Sequence, residues 1–136
     1  MSDNELEKIK MRKAEMMMKG EKSLPKKIVK VHNMNEFDAL INEYPETIIL
    51  IDFTAVWCGP CQMFGPIFEK LSQDYSEDFI FAKVDVDENP MVARKYSVTG
   101  VPTTAFIKGN KLVNRMVGAH GYDSMVQVLN RLREEA

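Results

Sequence analysis

Cysteine is scarce in this sequence of 136 residues: there are two, at positions 58 and 61. A single close pair cannot supply the several bridges with which small secreted domains compensate for a thin core, so its role is chemical rather than architectural. Histidine is equally scarce. His32 and His120 stand far apart, which leaves a poor ligand set if the two cysteines were half of a zinc site, and both are expected to be surface or packing residues. Long apolar runs are missing, and without about 18 such residues in a row no transmembrane helix can form. The N-terminus has no apolar signal core, and five acids among residues 1–27 do not suit an acid-poor transit peptide. A reducing cytosol is the default setting. Charge of one sign is not in excess either, since the formal net charge is −2, which gives no general reason to bind nucleic acid or anionic membrane.

What is present suits one soluble domain with a core large enough to need no disulfide or metal. Charge divides the chain in two: residues 1–27 carry eight Lys/Arg against five Asp/Glu, whereas residues 28–136 carry ten against fifteen. The first part is a charged, Met-rich extension. Leu6, Ile9 and Met16 recur near helical spacing, and Ser2 with Glu5 resembles a capping box. Gly20 and Pro25 would end such a helix. It is either a solvated arm or a helix that docks Met16, Met17 and Met18 on the domain or a partner.

Residues 28–136 alternate between strand and helix patterns, which is the grammar of an α/β fold. Strands are predicted over 28–31, 48–53, 79–86, 103–107 and 111–117, and helices over 35–44, 59–75, 91–96 and 122–133. The apolar residues of the run 48–53 do not alternate with polar ones, as in a central strand buried on both faces. Cys61, Phe64, Phe68, Leu71 and Tyr75 share one helix face, and Met125, Val126, Val128 and Leu129 are expected to point inward from the last helix. Lys108-Gly109-Asn110 separates the last two strands too closely for a crossover helix, so they form an antiparallel hairpin.

Trp57-Cys58-Gly59-Pro60-Cys61 sits where the buried strand ends and the second helix begins. Unpaired N–H groups and the positive end of the helix dipole favour a thiolate on Cys58, whose pKa should fall. Cβ atoms at i and i+3 lie about 5–6 Å apart, against the ~3.5–4.5 Å of a disulfide, so the bridge can close with modest adjustment. Pro60 in the first turn sacrifices no helical hydrogen bond and stiffens the loop. A purely structural bridge is a weak alternative, because so short a loop constrains the unfolded chain little.

Asp52 interrupts the apolar strand on the face of Ile48 and Leu50, six residues before Cys58. Burial there should raise its pKa and suit it to proton transfer near neutral pH; alternatively it is an ordinary strand-end acid capping the helix. Lys83, between Ala82 and Val84 in the next strand, is placed to approach it. Val101-Pro102-Thr103 opens the hairpin, and most X-Pro bonds are trans, so Pro102 taken alone is expected to be trans.

The string Ile51-Asp52-Phe53-Thr54-Ala55-Val56-Trp57-Cys58-Gly59-Pro60-Cys61, with Pro66, Lys83, Val101-Pro102-Thr103 and Gly118 downstream, resembles the thioredoxin family. The resemblance covers about residues 28–136 and implies that family's fold, a central mixed sheet of about five strands flanked by four helices. It implies a protein disulfide reductase without a bound cofactor, working by thiol–disulfide exchange on oxidised client proteins as a monomer, and restored by a reductase that draws on NADPH or ferredoxin. In this reading Cys58 is the exposed attacking thiolate, Cys61 the buried resolving thiol, and Asp52 the buried acid that takes the proton of Cys61. Lys83 modulates Asp52, and Pro102 is a cis-proline facing the dithiol. The backbone of Val101 pairs with an extended substrate segment. Trp57, Gly59, Pro60, Val101, Gly118 and Ala119 then form a flat apolar docking patch. Three positions depart from the family's habit: Thr54 where a tryptophan is usual, Val56 where a polar residue is common, and Gln62 where a lysine is frequent. An oxidase or isomerase is disfavoured by the Gly-Pro between the cysteines, because relatives of that kind often carry a histidine there. A binding or assembly subunit with an incidental dithiol is a further alternative.

Overall fold

The computed structural model describes residues 23–135. The helical pattern expected around Leu6, Ile9 and Met16, and the docking of Met16, Met17 and Met18, fall outside the described residues. In chain order the elements are β1 (Val29–Val31), α1 (Met34–Glu43), β2 (Ile49–Thr54), α2 (Gly59–Tyr75), β3 (Ile80–Asp85), α3 (Pro90–Lys95), β4 (Thr103–Lys108), β5 (Lys111–Val117) and α4 (Tyr122–Glu135). The strands form one sheet in the order β1-β3-β2-β4-β5. β1, β3 and β2 run parallel, and β4 and β5 are antiparallel to their neighbours, which makes the expected mixed sheet with four flanking helices. No helix among the described residues is long and apolar enough to cross a membrane.

The period-2 geometry of strands divides the core into two layers. Ile49, Ile51 and Phe53 of β2 point to one face with Ile80, Ala82 and Val84 of β3, where Phe37, Leu40 and Ile41 of α1 and Val92 and Ala93 of α3 cover them. Leu50, Phe81 and Phe106 point to the other face, beneath Phe64, Phe68 and Leu71 of α2 and Met125, Leu129 and Leu132 of α4. The Phe68 and Phe81 rings meet edge to face, with centroids 5.4 Å apart. Burying each such side chain contributes roughly 1.5–3 kcal/mol, so this double layer holds β2 firmly in the middle of the sheet. Leu24, inside the segment read as an extension, also packs against the first layer.

Two helices start one residue earlier than predicted, and the residues at each start explain it. α1 begins at Met34 because Asn33 caps it, its side chain accepting the Glu36 N–H at 2.8 Å. α3 begins at Pro90, whose missing N–H costs nothing in the first turn. Within α4, Met125 and Leu129 are buried with Leu132, while Val126 and Val128 are only partly covered. The hairpin turns on Gly109 and Asn110, both with positive φ, 56° and 78°, as a two-residue turn matched to strand twist requires. A Cβ on Gly109 would also come within 3.2 Å of the Pro45 carbonyl oxygen.

Candidate active site

Between the end of β2 and the start of α2 the chain turns through four residues, 55–58, closed by a hydrogen bond from the Cys58 N–H to the Ala55 carbonyl at 3.2 Å. Cys58 is the N-cap of α2. Its backbone is extended, with φ −93° and ψ 113°, and its Sγ accepts the N–H of Cys61 at 3.2 Å. The sulfur therefore occupies the place that a serine or aspartate oxygen takes at an ordinary helix start, where orphan donors and the dipole favour negative charge. Cys58 and Cys61 are joined as a disulfide with Cα atoms 5.3 Å apart, within the usual span of about 4.4–6.8 Å.

Cys58 does not stand out into solvent as expected: its exposure is 5%, against 4% for Cys61. The reason is its packing, because the bonded pair nests with Ala55 and is flanked by Val86 and Val101. The difference between the two cysteines in this state lies in their backbone surroundings. Cys58 Sγ receives a helix N–H and lies 3.7 Å from the Val101 carbonyl oxygen, whereas Cys61 sits within the first turn.

Two further segments reach this point. Trp57 is 72% exposed and held by its indole Nε1, which donates to Asp87 Oδ2 at 2.7 Å, so the β2–α2 turn is tied to the loop after β3. From the other side, Val101 brings up the start of β4, and the Val101–Pro102 peptide bond is cis, against the general preference and as the resemblance implied. The Pro102 carbonyl accepts the Gly118 N–H at 2.8 Å, which fixes the end of β5 beside it; Gly118 itself has φ +100°, open to glycine and strained for other residues. Gly59, Pro60 and Ala119 are exposed, and Val101 and Gly118 are half-buried. Val56, already noted as a departure from the family's habit, is 80% exposed, and Met63, which the motif did not single out, is 75% exposed. Both are apolar and flank the cysteine pair in sequence.

Asp52 is 1% exposed in the middle of β2. Sheet register sets it directly beside Lys83 of β3 and Thr104 of β4. Burial pushes its pKa from 3.8 up to about 6, against the opposing pull of the Lys83 ammonium. It does not cap α2, a role that Cys58 fills. A cleft of about 480 Å³ lies alongside, with Cys61 and Lys83 both in its lining, together with Lys30, Thr54 and Gln62. His32 is exposed and pairs with Glu88 at 2.9 Å, and a His120 ring nitrogen lies 2.9 Å from the Val117 carbonyl oxygen. His32 lines the same cleft as Cys61, and neither histidine hydrogen-bonds to the dithiol.

Comparison with known proteins gives a consistent result. The family model described as thioredoxin matches residues 28–131. A thioredoxin of Chlorobaculum thiosulfatiphilum is 52% identical over 71 residues, which span 52% of this chain and 66% of the relative. A thioredoxin of Staphylococcus epidermidis is 39% identical over 104 residues, 76% of this chain and 96% of the relative. Among solved structures, Fasciola hepatica thioredoxin superimposes with a TM-score of 0.71 at 40% identity, covering 76% of this chain and 98% of its own.

Proposed function

The chain belongs to the thioredoxin family and is a thiol–disulfide oxidoreductase, and from that premise we propose how its residues divide the work. Cys58 is the nucleophile. Once reduced, its thiolate attacks one sulfur of a client disulfide, forming a mixed disulfide and releasing the client's other sulfur as a thiolate. Cys61 is the resolving thiol. Asp52 takes its proton, the resulting thiolate attacks Cys58 Sγ, and the electron pair of the mixed disulfide leaves with the client's second sulfur. The protein ends with the Cys58–Cys61 bridge, and the client gains two electrons as a dithiol.

The observation that carries this reading is the position of Cys58 Sγ as the cap of α2, accepting the Cys61 N–H while bonded to Cys61 itself. The same contact that stabilises a thiolate on Cys58 places the resolving residue within reach. Lys83 supports ionisation of Asp52, its charge acting against the desolvation that raises the acid. Trp57, Gly59, Pro60, Val101, Pro102, Gly118 and Ala119 form the client surface, where the Val101 backbone pairs with an extended segment around the client disulfide. Residues 1–27 are an accessory to a catalytic domain of residues 28–136. The partners are oxidised client proteins and a thioredoxin reductase, and the setting is the cytosol.

The test compares the two single-serine variants. Cys61→Ser is expected to accumulate covalent mixed disulfides with oxidised cell proteins, isolable under non-reducing conditions, and to be alkylated rapidly at pH 7. Cys58→Ser is expected to do neither. Trapping by Cys58→Ser alone would reverse the roles, and trapping by neither would remove this dithiol from the function.

A further inference from the structure

One cross-strand row runs through the buried sheet beneath α2: Lys30 of β1, Lys83 of β3, Asp52 of β2, Thr104 of β4 and Met116 of β5 stand in direct register. Register partners share a face, and directly opposed residues of an antiparallel pair have Cβ atoms about 4.5–5.5 Å apart. Asp52 and Thr104 form such a pair, and each is 1% exposed. Asp52 Oδ1 and Thr104 Oγ1 are the two buried side-chain polar atoms among the described residues that hydrogen-bond to no other protein group. Leaving a buried donor or acceptor unmet is costly, and here one atom can donate and the other accept. A threonine in this place is otherwise hard to account for, because its neighbour on the same face of β4, Phe106, is fully buried in the aromatic layer.

We propose that the Thr104 hydroxyl is the hydrogen-bond donor to the Asp52 carboxylate, reached by a χ1 rotation or through one shared water, and that it sets the pH at which Asp52 gives up its proton. Thr104 is thus a positioning residue for proton transfer. The assignment rests on the reading of Asp52 as the acid–base group for Cys61. The other charged or titratable groups on this side of the sheet are Lys83 and, two residues on, Asp85 from β3, Lys30 one strand further out, and Cys61 from the first turn of α2 when reduced, with His32 and Glu88 lining the same cleft as these four. The buried residues of α4 are Met125, Leu129 and Leu132, and Met116 is the row's member on β5, so neither element adds a charge. Thr104 is then the sole neutral donor in the row. A hydroxyl that donates to the ionised acid works in the same direction as Lys83 and against desolvation.

Thr104→Val removes the hydroxyl and keeps the shape; Thr104→Ser keeps the hydroxyl and loses a methyl. The Asp52 carboxyl carbon is followed by NMR from pH 4 to 9 in the full-length oxidised protein. Thr104→Val is expected to move its midpoint upward by about one pH unit, the tenfold change that loss of one hydrogen bond to a charged group brings. Thr104→Ser is expected to titrate with the wild type. The pH profile of mixed-disulfide resolution should shift alike in Thr104→Val. A Thr104→Val midpoint equal to the wild type, or equal shifts in the Val and Ser variants, would overturn the assignment. A shifted midpoint combined with an Asp52→Asn protein that resolves mixed disulfides at the normal rate would leave the pairing standing and instead remove Asp52 from the chemistry.

Discussion

Asp52→Asn tests the energetics of the site through stability rather than rate. In the folded protein the acid titrates at about 6, in the unfolded chain at 3.8. Well below pH 3.8 both forms hold the proton and the site carries no penalty. As pH rises from there the unfolded chain releases its proton while the folded one retains it, so stability falls through about pH 6 and then levels off. A separation of about two pKa units corresponds to roughly 3 kcal/mol lost by the wild type across this window. Asparagine has no such loss, although its buried amide brings a pH-independent cost of about 1–3 kcal/mol. The quantity that matters is therefore the difference between the two stability curves, which should climb by about 2 kcal/mol between pH 4 and 7. Urea unfolding of both oxidised proteins at half-unit pH intervals measures it, with equal m-values confirming that the unfolding reaction is the same. A difference curve that is flat over that range would refute a desolvated, ionising Asp52. Mixed-disulfide resolution in the same variant is expected to be slower than in the wild type, and an unchanged rate across pH 6–9 would exclude the acid from the mechanism.

Removing residues 1–22 is expected to leave the melting temperature and the reduction of a model disulfide unchanged, whereas removal through residue 27 should cost about 1 kcal/mol, because it takes away the packing of Leu24 against the core; thermal melts of both truncations decide. Gly109→Ala should cost about 1–3 kcal/mol, since it forces a side chain into φ +56° and toward the Pro45 carbonyl, without changing reactivity at the distant dithiol; unfolding curves and alkylation rates measured together check both halves.

The order of strands and helices was legible because periodicity reports burial, and here burial and secondary structure agree. The apolar residues of β2, which do not alternate with polar ones, marked it as central, and the spacing of Phe64, Phe68 and Leu71 marked the inward face of α2. Even the approach of Lys83 to Asp52 followed from their places in adjacent strands. Element ends were less legible, because they depend on local signals such as the Asn33 cap and Pro90 in a first turn, which compete with neighbouring candidates. The cover over Cys58 was not legible at all: its low exposure comes from Val86 and Val101, which lie on other segments. Thr104 passed unnoticed for a related reason. A threonine in a strand is ordinary, and it becomes conspicuous only when register sets it opposite a buried acid.

The antiparallel union of β2 with β4 has a consequence for when this site comes into being. Because the strands run in opposite directions, the beginning of β4 meets the end of β2, and residues 43 positions apart, Cys58 and Val101, become neighbours. A chain that had formed only β1 to β3 with their helices would already hold Cys58 at a helix start and Asp52 within a parallel pair. It would have no carbonyl over the sulfur, no Thr104 beside the acid, and an open sheet edge along β2. The chemical behaviour of the dithiol therefore reports the closure of the most distant contacts in the sheet, and thiol reactivity followed during refolding is a clock for the arrival of the C-terminal hairpin.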